Sequence, residues 1–240
     1  MKKVLSFSFV ALLVLACGEN NHSESEAENH HDTEGHGHHG HGHHHGDANE
    51  YMHSSKFDEL VERFESEERD AYQEPEKVIE FLGDMSGLKV MDLGAGTGYF
   101  SFKFAEAGAN VIAADVNDQF QEFIKEKRDS LEITADKIAL RKVEYDDPLL
   151  TDAEVDKVVI VNTYHHIENR KAYFAKVKKG LKDGGELVVI DFIKKEIPYG
   201  PPVKMKLSAD EVMKELKEAG YASVEVNDDL LKYQYIIRAK

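Results

Sequence analysis

The residues best suited to chemistry are three glycines at alternate positions, with an acidic residue just before them. The run 90–100 reads V-M-D-L-G-A-G-T-G-Y-F, and an apolar-patterned helix is predicted over 99–108. Glycine lets the backbone turn tightly and come close to a ligand. The N-terminus of a helix offers unpaired N–H groups and a positive dipole end to a polar or anionic group. A strand, a glycine loop and a helix in this order predict a nucleotide-type cradle at the carboxyl edge of a sheet.

The spacing of the glycines separates two kinds of cradle. The dinucleotide fingerprint is G-x-G-x-x-G, whereas here the third glycine comes one residue early and Tyr99 occupies its place. A second predicted strand, 110–114, leads directly into Asp115. A carboxylate there can accept hydrogen bonds from both hydroxyls of a ribose. The pattern disfavours a nicotinamide-dependent enzyme; a glycine turn in some other α/β protein remains the alternative.

D-x-G-x-G-x-G followed by a strand ending in Asp resembles motif I and its successor in class I methyltransferases that use S-adenosylmethionine, in the type 11 or UbiE-like group. The run 181–191, L-K-D-G-G-E-L-V-V-I-D, resembles the motif before the fifth strand of that family. The resemblance covers about 57–240. It implies an α/β fold, with a Rossmann-like seven-stranded sheet, helices on both faces and the last strand antiparallel. It also implies S-adenosylmethionine as cofactor and methyl transfer to an unidentified small molecule.

The resemblance carries a set of site residues with it. The implied cofactor-binding residues are Asp92, Gly94, Ala95, Gly96, Gly98, Tyr99, Asp115, Val116, Asp146 and Asn162. Asp146 follows the third strand, where the family often places an acid that accepts from the adenine amino group. We prefer it to Asp147 because Pro148 restricts the residue before it. A turn without a ligand is the alternative.

Apolar periodicity and turn residues divide the domain into elements. The predicted helices are 57–64, 76–82, 99–108, 119–131, 169–181 and 208–219. The predicted strands are 90–93, 110–114, 137–144, 155–161, 186–192, 223–226 and 233–238. The run 182–185 is predicted to be the glycine exit of a helix. The loop 198–202 either closes over substrate or only connects two elements.

Candidate catalytic residues follow the fourth strand, whose β-branched run is typical of a central parallel strand. Asn162 and Thr163 lead into Tyr164, His165 and His166. In the family this position is motif IV, which faces the methyl group. Neutral imidazole can act as a general base for a hydroxyl or an amine near pH 7. Histidines that only form the wall of the substrate pocket are the alternative.

The segment before motif I has its own pattern. Residues 69–75 read R-D-A-Y-Q-E-P, which is similar to an R-D-x-(aromatic)-Q-x-P segment in one group of poorly characterised bacterial methyltransferases. The resemblance implies a helical cap, 51–88, that folds over the mouth of the cofactor and substrate site. The alternative is an ordinary helix–loop–helix with solvated charges.

The N-terminus predicts export. A short basic leader precedes an apolar run, 4–16, that is too short to span a bilayer as a helix and has the layout of a signal peptide. The run V-L-A-C, ending at Cys17, resembles a bacterial lipobox. We therefore predict a lipoprotein signal peptide over 1–17, lipid on Cys17 and a place in the bacterial cell envelope. An unprocessed anchor or a mistaken start site is the alternative.

Residues 18–50 differ sharply in composition from the rest of the chain. They hold eight acids, no Lys or Arg, and no Val, Ile, Leu, Phe or Met, so they are predicted to be a disordered tether. Eleven of the 13 histidines lie between His22 and His53, and imidazole suits zinc, nickel and copper. The candidate metal ligands are His36, His38, His39, His41, His43, His44 and His45. A solvated spacer that binds metal only incidentally is the alternative.

Charge and size bound the remaining domain, 51–240. It carries 38 acids against 28 bases, so it offers no electrostatic footprint for nucleic acid. Its 190 residues suit one domain with a sizeable core. Export conflicts with a cofactor that is made in the cytoplasm. The second hypothesis is therefore a non-catalytic, His-rich, metal-binding envelope lipoprotein whose α/β domain binds a nucleotide-like ligand.

Overall fold

The computed structural model describes residues 56–240. The α-helices are α1 (Phe57–Phe64), α2 (Glu67–Gln73), α3 (Pro75–Leu82), α4 (Tyr99–Glu106), α5 (Asp118–Ser130), α6 (Arg170–Gly180) and α7 (Ala209–Glu218). The strands are β1 (Lys89–Leu93), β2 (Asn110–Asp115), β3 (Ile138–Lys142), β4 (Val155–Val161), β5 (Leu181–Phe192), β6 (Val224–Asn227) and β7 (Gln234–Ala239). Short 3-10 turns follow at Tyr164–His166 and Val203–Met205. The predicted signal peptide, lipobox and His-rich tether lie outside the described residues.

The strands form one seven-stranded sheet in the order β3-β2-β1-β4-β5-β7-β6. The first five strands pair in parallel, and β7 is antiparallel to both of its neighbours. The predicted Rossmann-like α/β fold, with its last strand antiparallel, is confirmed. Since β2, β1, β4 and β5 run side by side in the same direction, their carboxyl ends meet at one edge of the sheet. Ligands bind at that edge in open α/β sheets.

Burial on both faces explains why the central strands are so apolar. Val158 and Ile160 of β4 pack into one core cluster, whereas Val159 and Val161 pack into the other. Successive residues of a strand point to opposite faces, so a strand covered on both sides needs apolar residues at every position. None of the helices formed by residues 56–240 is long and apolar enough to cross a bilayer.

Two elements differ from the sequence prediction. The fifth strand begins at Leu181 instead of Glu186, so it includes the run that was predicted to be a helix exit. Leu181 pairs with Val155, and the register then shifts before Lys157 pairs with Glu186. Gly184 has a φ of 78°, so a bulge can be accommodated inside the strand. The polar segment before Pro75 also forms a helix, α2, because Ser66 caps it by accepting from the Arg69 N–H.

Candidate active site

A cavity of about 540 Å³ opens at the carboxyl edge of the sheet, where β2, β1, β4 and β5 end. Its volume lies in the range of small-molecule sites. The predicted site residues that line it are Gly94, Ala95, Gly96, Asp115, Val116, Asn162, His165 and His166. Those that do not line it are Asp92, Gly98, Tyr99, Asp146 and Tyr164. Of the predicted site residues within 56–240, eight therefore meet in one cavity, and the other five lie outside its lining.

The glycine loop is held in conformations that favour glycine. Gly94, Gly96 and Gly98 have φ values of 77°, 54° and 79°. A side chain on Gly94 is also excluded by space, because a Cβ there would lie 2.3 Å from Cγ2 of Thr163. The loop after β1 thus packs directly against the turn after β4. This contact brings the predicted cofactor loop next to the predicted catalytic residues.

Asp115 joins the glycine loop to the end of β2. Its Oδ2 accepts the Gly96 N–H at 2.8 Å, and its Oδ1 accepts the Asn117 N–H at 2.9 Å. Burial raises the pKa of this carboxyl, and the backbone hydrogen bonds oppose that rise. A carboxylate has about four lone-pair sites, so acceptor capacity remains for ligand hydroxyls. The position and the lone pairs suit a ribose diol.

Asp92 is buried and does not line the cavity. It is 3% exposed and accepts the Ser101 hydroxyl at 2.6 Å. Burial raises its pKa to about 6. Adjacent strand residues point to opposite sides, and Leu93 lines the cavity, so Asp92 points towards α4. Asp92, predicted to bind the cofactor, is instead placed against Ser101 at the start of α4 and does not line the cavity.

Tyr99 and Gly98 also act away from the cavity. The Tyr99 hydroxyl donates to Asp70, and the guanidinium carbon of Arg69 lies 4.0 Å from the centre of its ring. Burial, and then the bond to Asp70, raises the Tyr99 pKa. Gly98 supplies the left-handed residue from which α4 begins. Tyr99 therefore ties α2 to the glycine loop, which the sequence pattern did not indicate.

The turn after β3 presents different residues from the one predicted. Glu144 and Asp147 exchange backbone hydrogen bonds of 3.0 and 3.3 Å, which leaves Asp146 near the tip of a tight, solvent-exposed turn. The Lys176 ammonium donates to the Asp146 carbonyl and to Asp147 at 2.8 Å each. The cavity is lined by Val143, Glu144 and Tyr145 instead. The carboxylate that the turn after β3 contributes to the cavity wall is therefore that of Glu144 and not that of Asp146.

His165 has a carboxylate partner that the sequence analysis did not single out. Its Nδ1 lies 2.9 and 3.0 Å from the two carboxylate oxygens of Asp191, and its backbone N–H donates to the same group at 3.3 Å. Asp191 is 3% exposed. A carboxylate accepts from Nδ1–H, so Nε2 is left as the acceptor of the neutral ring. The available signal was Asp191 at the end of β5, next to β4 in the sheet.

The other two residues of the 3-10 turn differ in direction: His166 lines the cavity and Tyr164 does not. The ring of His166 lies 4.3 Å from that of His165, and both line the cavity. Tyr164 is fully buried, stacks on Phe174 at 4.6 Å and donates its hydroxyl to Glu215 at 2.9 Å. Three residues per turn separate successive side chains by about 120°. The prediction of a catalytic Tyr164 is corrected, because it packs against the helices behind the site.

Asn162 takes part in a closed ring of three amides. Its Nδ2 donates to Gln73 Oε1 at 3.0 Å, Gln73 Nε2 donates to Gln234 Oε1 at 2.7 Å, and Gln234 Nε2 donates to Asn162 Oδ1 at 2.5 Å. Gln73 and Gln234 are fully buried. The ring joins α2 and β7 to the end of β4. The side chain of Asn162 is therefore committed to the protein, and only its remaining surface faces the cavity.

The N-terminal cap and the loop after β5 cover the site. Arg69 and Tyr72 of α2 line the cavity, as do Tyr199 and Pro201 of the 198–202 loop. The rings of Tyr72 and Tyr199 stack at 4.5 Å with an angle of 22°. The two segments thus meet through aromatic stacking, and burial raises the pKa of Tyr72. Both segments contribute walls to the cavity.

Comparison with known proteins agrees with this geometry. Residues 84–237 match the family described as "Methyltransferase domain". The chain belongs to this methyltransferase family. It is 24% identical over 140 residues to an uncharacterized methyltransferase of Geobacillus, covering 58% of this chain and 63% of that protein. It is 32% identical over 125 residues to a ubiquinone/menaquinone biosynthesis C-methyltransferase of Shewanella pealeana, covering 48% and 47%.

A solved structure extends the methyltransferase likeness over more of the chain. A SAM-dependent methyltransferase from Aquifex aeolicus is 25% identical, with a TM-score of 0.69, and the match covers 77% of this chain and 98% of that one. This chain spans roughly half to just under two thirds of the length of the two curated relatives above. The likeness to all three lies in the methyltransferase domain.

The donor set of the cavity fits S-adenosylmethionine. Gly94 and Gly96 place backbone in the cavity wall, and Asp115 offers acceptors for the ribose. The part of the cavity into which the adenine base would extend from the ribose is lined by Val116, Glu144 and Tyr145. Within residues 56–240 no group of three His, Cys, Asp or Glu side chains is arranged to hold a metal ion. The seven predicted metal ligands lie outside the described residues.

Proposed function

We propose that this protein is an S-adenosylmethionine-dependent methyltransferase that acts on a small molecule. The observation that carries the proposal is that the glycine loop, Asp115 and His165 line one cavity, with Asp191 holding the His165 ring from behind. Gly94, Ala95, Gly96, Asp115 and Val116 would hold the cofactor, which supplies a methyl group already activated by a sulfonium. The acidic domain supports a small acceptor over a nucleic acid.

His165 is the group that can accept a proton from the acceptor. Asp191 holds the ring through Nδ1, which orients Nε2 as the base and stabilises the charge that develops on protonation. Alignment of the nucleophile with the methyl carbon supplies much of the remaining rate. The acceptor would therefore carry a hydroxyl or an amine that must lose its proton. His166, packed against the His165 ring, forms part of the wall beside it.

The test uses the purified full-length chain in detergent. Calorimetry should detect binding of S-adenosylmethionine and its demethylated product, and should detect none for NAD. His165→Ala should lower methyl transfer from labelled cofactor to small molecules extracted from cells by about 100-fold or more, the range for loss of a general base. Affinity for the demethylated product should stay unchanged. Lys171→Ala, an exposed change on α6, is the control. A wild-type chain that binds NAD and not S-adenosylmethionine would overturn the proposal.

The placement in the cell is a further part of the proposal. The lipobox-like run ending at Cys17 and the composition of 18–50 support a lipid anchor in the bacterial envelope with a His-rich tether. Cys17→Ser should abolish metabolic labelling with fatty acid and leave unprocessed precursor. Labelling that persists in this variant would contradict the anchor.

A further inference from the structure

Arg69 is a charged residue in the cavity that the proposed chemistry does not use. Its guanidinium stacks over the Tyr99 ring, and its Nη1 donates to the Phe64 carbonyl at 3.0 Å. Its Nε is buried and has no hydrogen-bond partner. Arg69 nevertheless lines the cavity. The residue is therefore held in place by its contacts while part of its donor capacity stays unsatisfied.

A buried donor without a partner costs stability unless something compensates it. Burial lowers the pKa of Arg69, and Asp92 and Glu65 favour its charge only from a distance. Within residues 56–240 Arg69 forms no ion pair with a carboxylate. Guanidinium groups present donors in a fixed fork that matches a carboxylate. The missing partner is best supplied by an anionic group on the ligand.

The place of Arg69 in the site indicates which end of the ligand it meets. Tyr99, beneath the guanidinium, is the first residue of α4, so Arg69 lies over the positive end of that helix. Asp115, itself a carboxylate, occupies the ribose position and repels a second carboxylate there. Phe64 covers Gly96, since a Cβ on Gly96 would lie 3.6 Å from its ring. An amino-acid tail is thus directed away from Asp115 and towards Arg69.

We propose that Arg69 is a ligand-binding residue that pairs with the carboxylate of the cofactor's amino-acid tail. This inference rests on the proposed function. It gives the cap a direct part in binding, because α2 carries Arg69 and is fixed to the sheet through Gln73 of the amide ring. A ligand without the carboxylate should bind without help from Arg69.

The experiment compares two ligands on the full-length chain by calorimetry. S-adenosylhomocysteine carries the carboxylate, whereas methylthioadenosine lacks the amino-acid tail. Arg69→Gln should weaken S-adenosylhomocysteine binding by about 10- to 100-fold, the range for a charge-assisted hydrogen bond, and leave methylthioadenosine unchanged. Arg69→Lys keeps the charge but lacks the planar fork of donors. Its affinity for S-adenosylhomocysteine should therefore lie between those of the wild type and Arg69→Gln. Lys77→Gln, which removes one exposed charge on α3, should change neither affinity.

The outcomes separate this inference from the proposed function. If the wild-type chain binds neither ligand, the proposed function fails, and the inference fails with it. If the wild type binds both and Arg69→Gln weakens both equally, Arg69 only shapes the cavity and the inference is overturned. An Arg69→Gln chain with unchanged affinity for both also overturns it. Should Arg69→Gln fail to fold by circular dichroism, Arg69→Lys decides by the same ratio of affinities.

Discussion

Asp92 and Asp115 are two buried carboxylates at the ends of neighbouring strands, and their surroundings give them different roles. Asp115 lines the cavity and accepts from two backbone N–H groups, whereas Asp92 faces away and accepts from Ser101. A similar side chain in a similar strand position thus faces the cavity in one case and the start of α4 in the other. The two roles predict different experimental signatures.

Asp115→Ala should weaken cofactor binding by about 1.5–3 kcal/mol, the range for losing hydrogen bonds to a charged acceptor. The physical reason is that the ribose hydroxyls lose their acceptor. Calorimetry with S-adenosylhomocysteine measures the change. Asp118→Ala is the matched control, because Asp118 is exposed and pairs with Lys142 outside the cavity. Unchanged affinity in a folded Asp115→Ala chain would remove this residue from the site.

Asp92→Asn should change how stability depends on pH. The folded-state pKa is about 6 against an ordinary value of 3.8, so the folded state binds more protons between these values. The contribution of Asp92 to stability is therefore present at low pH and is lost as the pH rises through about 6. Asparagine keeps an acceptor for Ser101 and cannot ionise.

The difference in unfolding free energy between Asp92→Asn and wild type should accordingly rise by about 2–3 kcal/mol from pH 4 to pH 7. Urea unfolding across that range measures it. Ser130→Ala, an exposed change at the end of α5, serves as a control for the baseline of the pH series. Parallel pH profiles for the variant and wild type would show that Asp92 has an ordinary pKa.

At the scale of elements, the amide ring decides how the cap sits on the sheet. α2 meets β7 and the end of β4 through Gln73, Gln234 and Asn162, each of which donates one bond and accepts one. Buried polar groups in a closed network are costly to leave half satisfied. The cap therefore has one preferred position, with Arg69 and Tyr72 over the cavity.

Gln73→Leu should lower the unfolding free energy by about 2–4 kcal/mol, because it leaves a buried donor on Asn162 and an acceptor on Gln234 unpaired. Gln234→Leu should have a similar effect for the same reason. The double variant should lower the unfolding free energy by clearly less than the sum of the two single changes, because either change alone already opens the hydrogen-bonded ring. Urea unfolding tests this. Additive effects would show that the three amides act independently.

At the scale of the whole molecule, the candidate metal ligands end at His45, whereas the described residues that line the cavity begin at Phe57, so the two sets share no residue. The tract is a separate run of closely spaced histidines. A tether that only links an anchor to a domain should be removable without harm to the domain.

Deleting 18–50 should leave the affinity for S-adenosylhomocysteine unchanged and remove most zinc binding. Zinc binding by the intact chain should be weak and at several sites, because ordering many ligands of a glycine-rich segment costs entropy. It should weaken as the pH falls through about 6.5, since protonated imidazole cannot ligate. Calorimetry with zinc and with S-adenosylhomocysteine measures the two affinities. Cofactor binding that requires the tract would make the two parts one site.

The sequence by itself determined the order of elements and the place of the site. The glycine spacing, the strand that leads into Asp115 and the apolar central strands are local patterns, and each is dictated by backbone sterics or by burial on two faces. Parallel strands then bring their carboxyl ends together whatever the details of packing. The position of His165 and His166 at that edge followed from the same rule.

Only the tertiary structure decided which of those side chains line the cavity. Asp191 lies 26 residues from His165, and Gln234 lies 161 residues from Gln73, so no local pattern could pair them. Tyr164, Tyr99 and Asp146 have the right neighbours in sequence and still point elsewhere, because turn geometry and packing partners set their direction. The direction of a side chain depends on contacts made across the chain, whereas strand order depends on patterns within it.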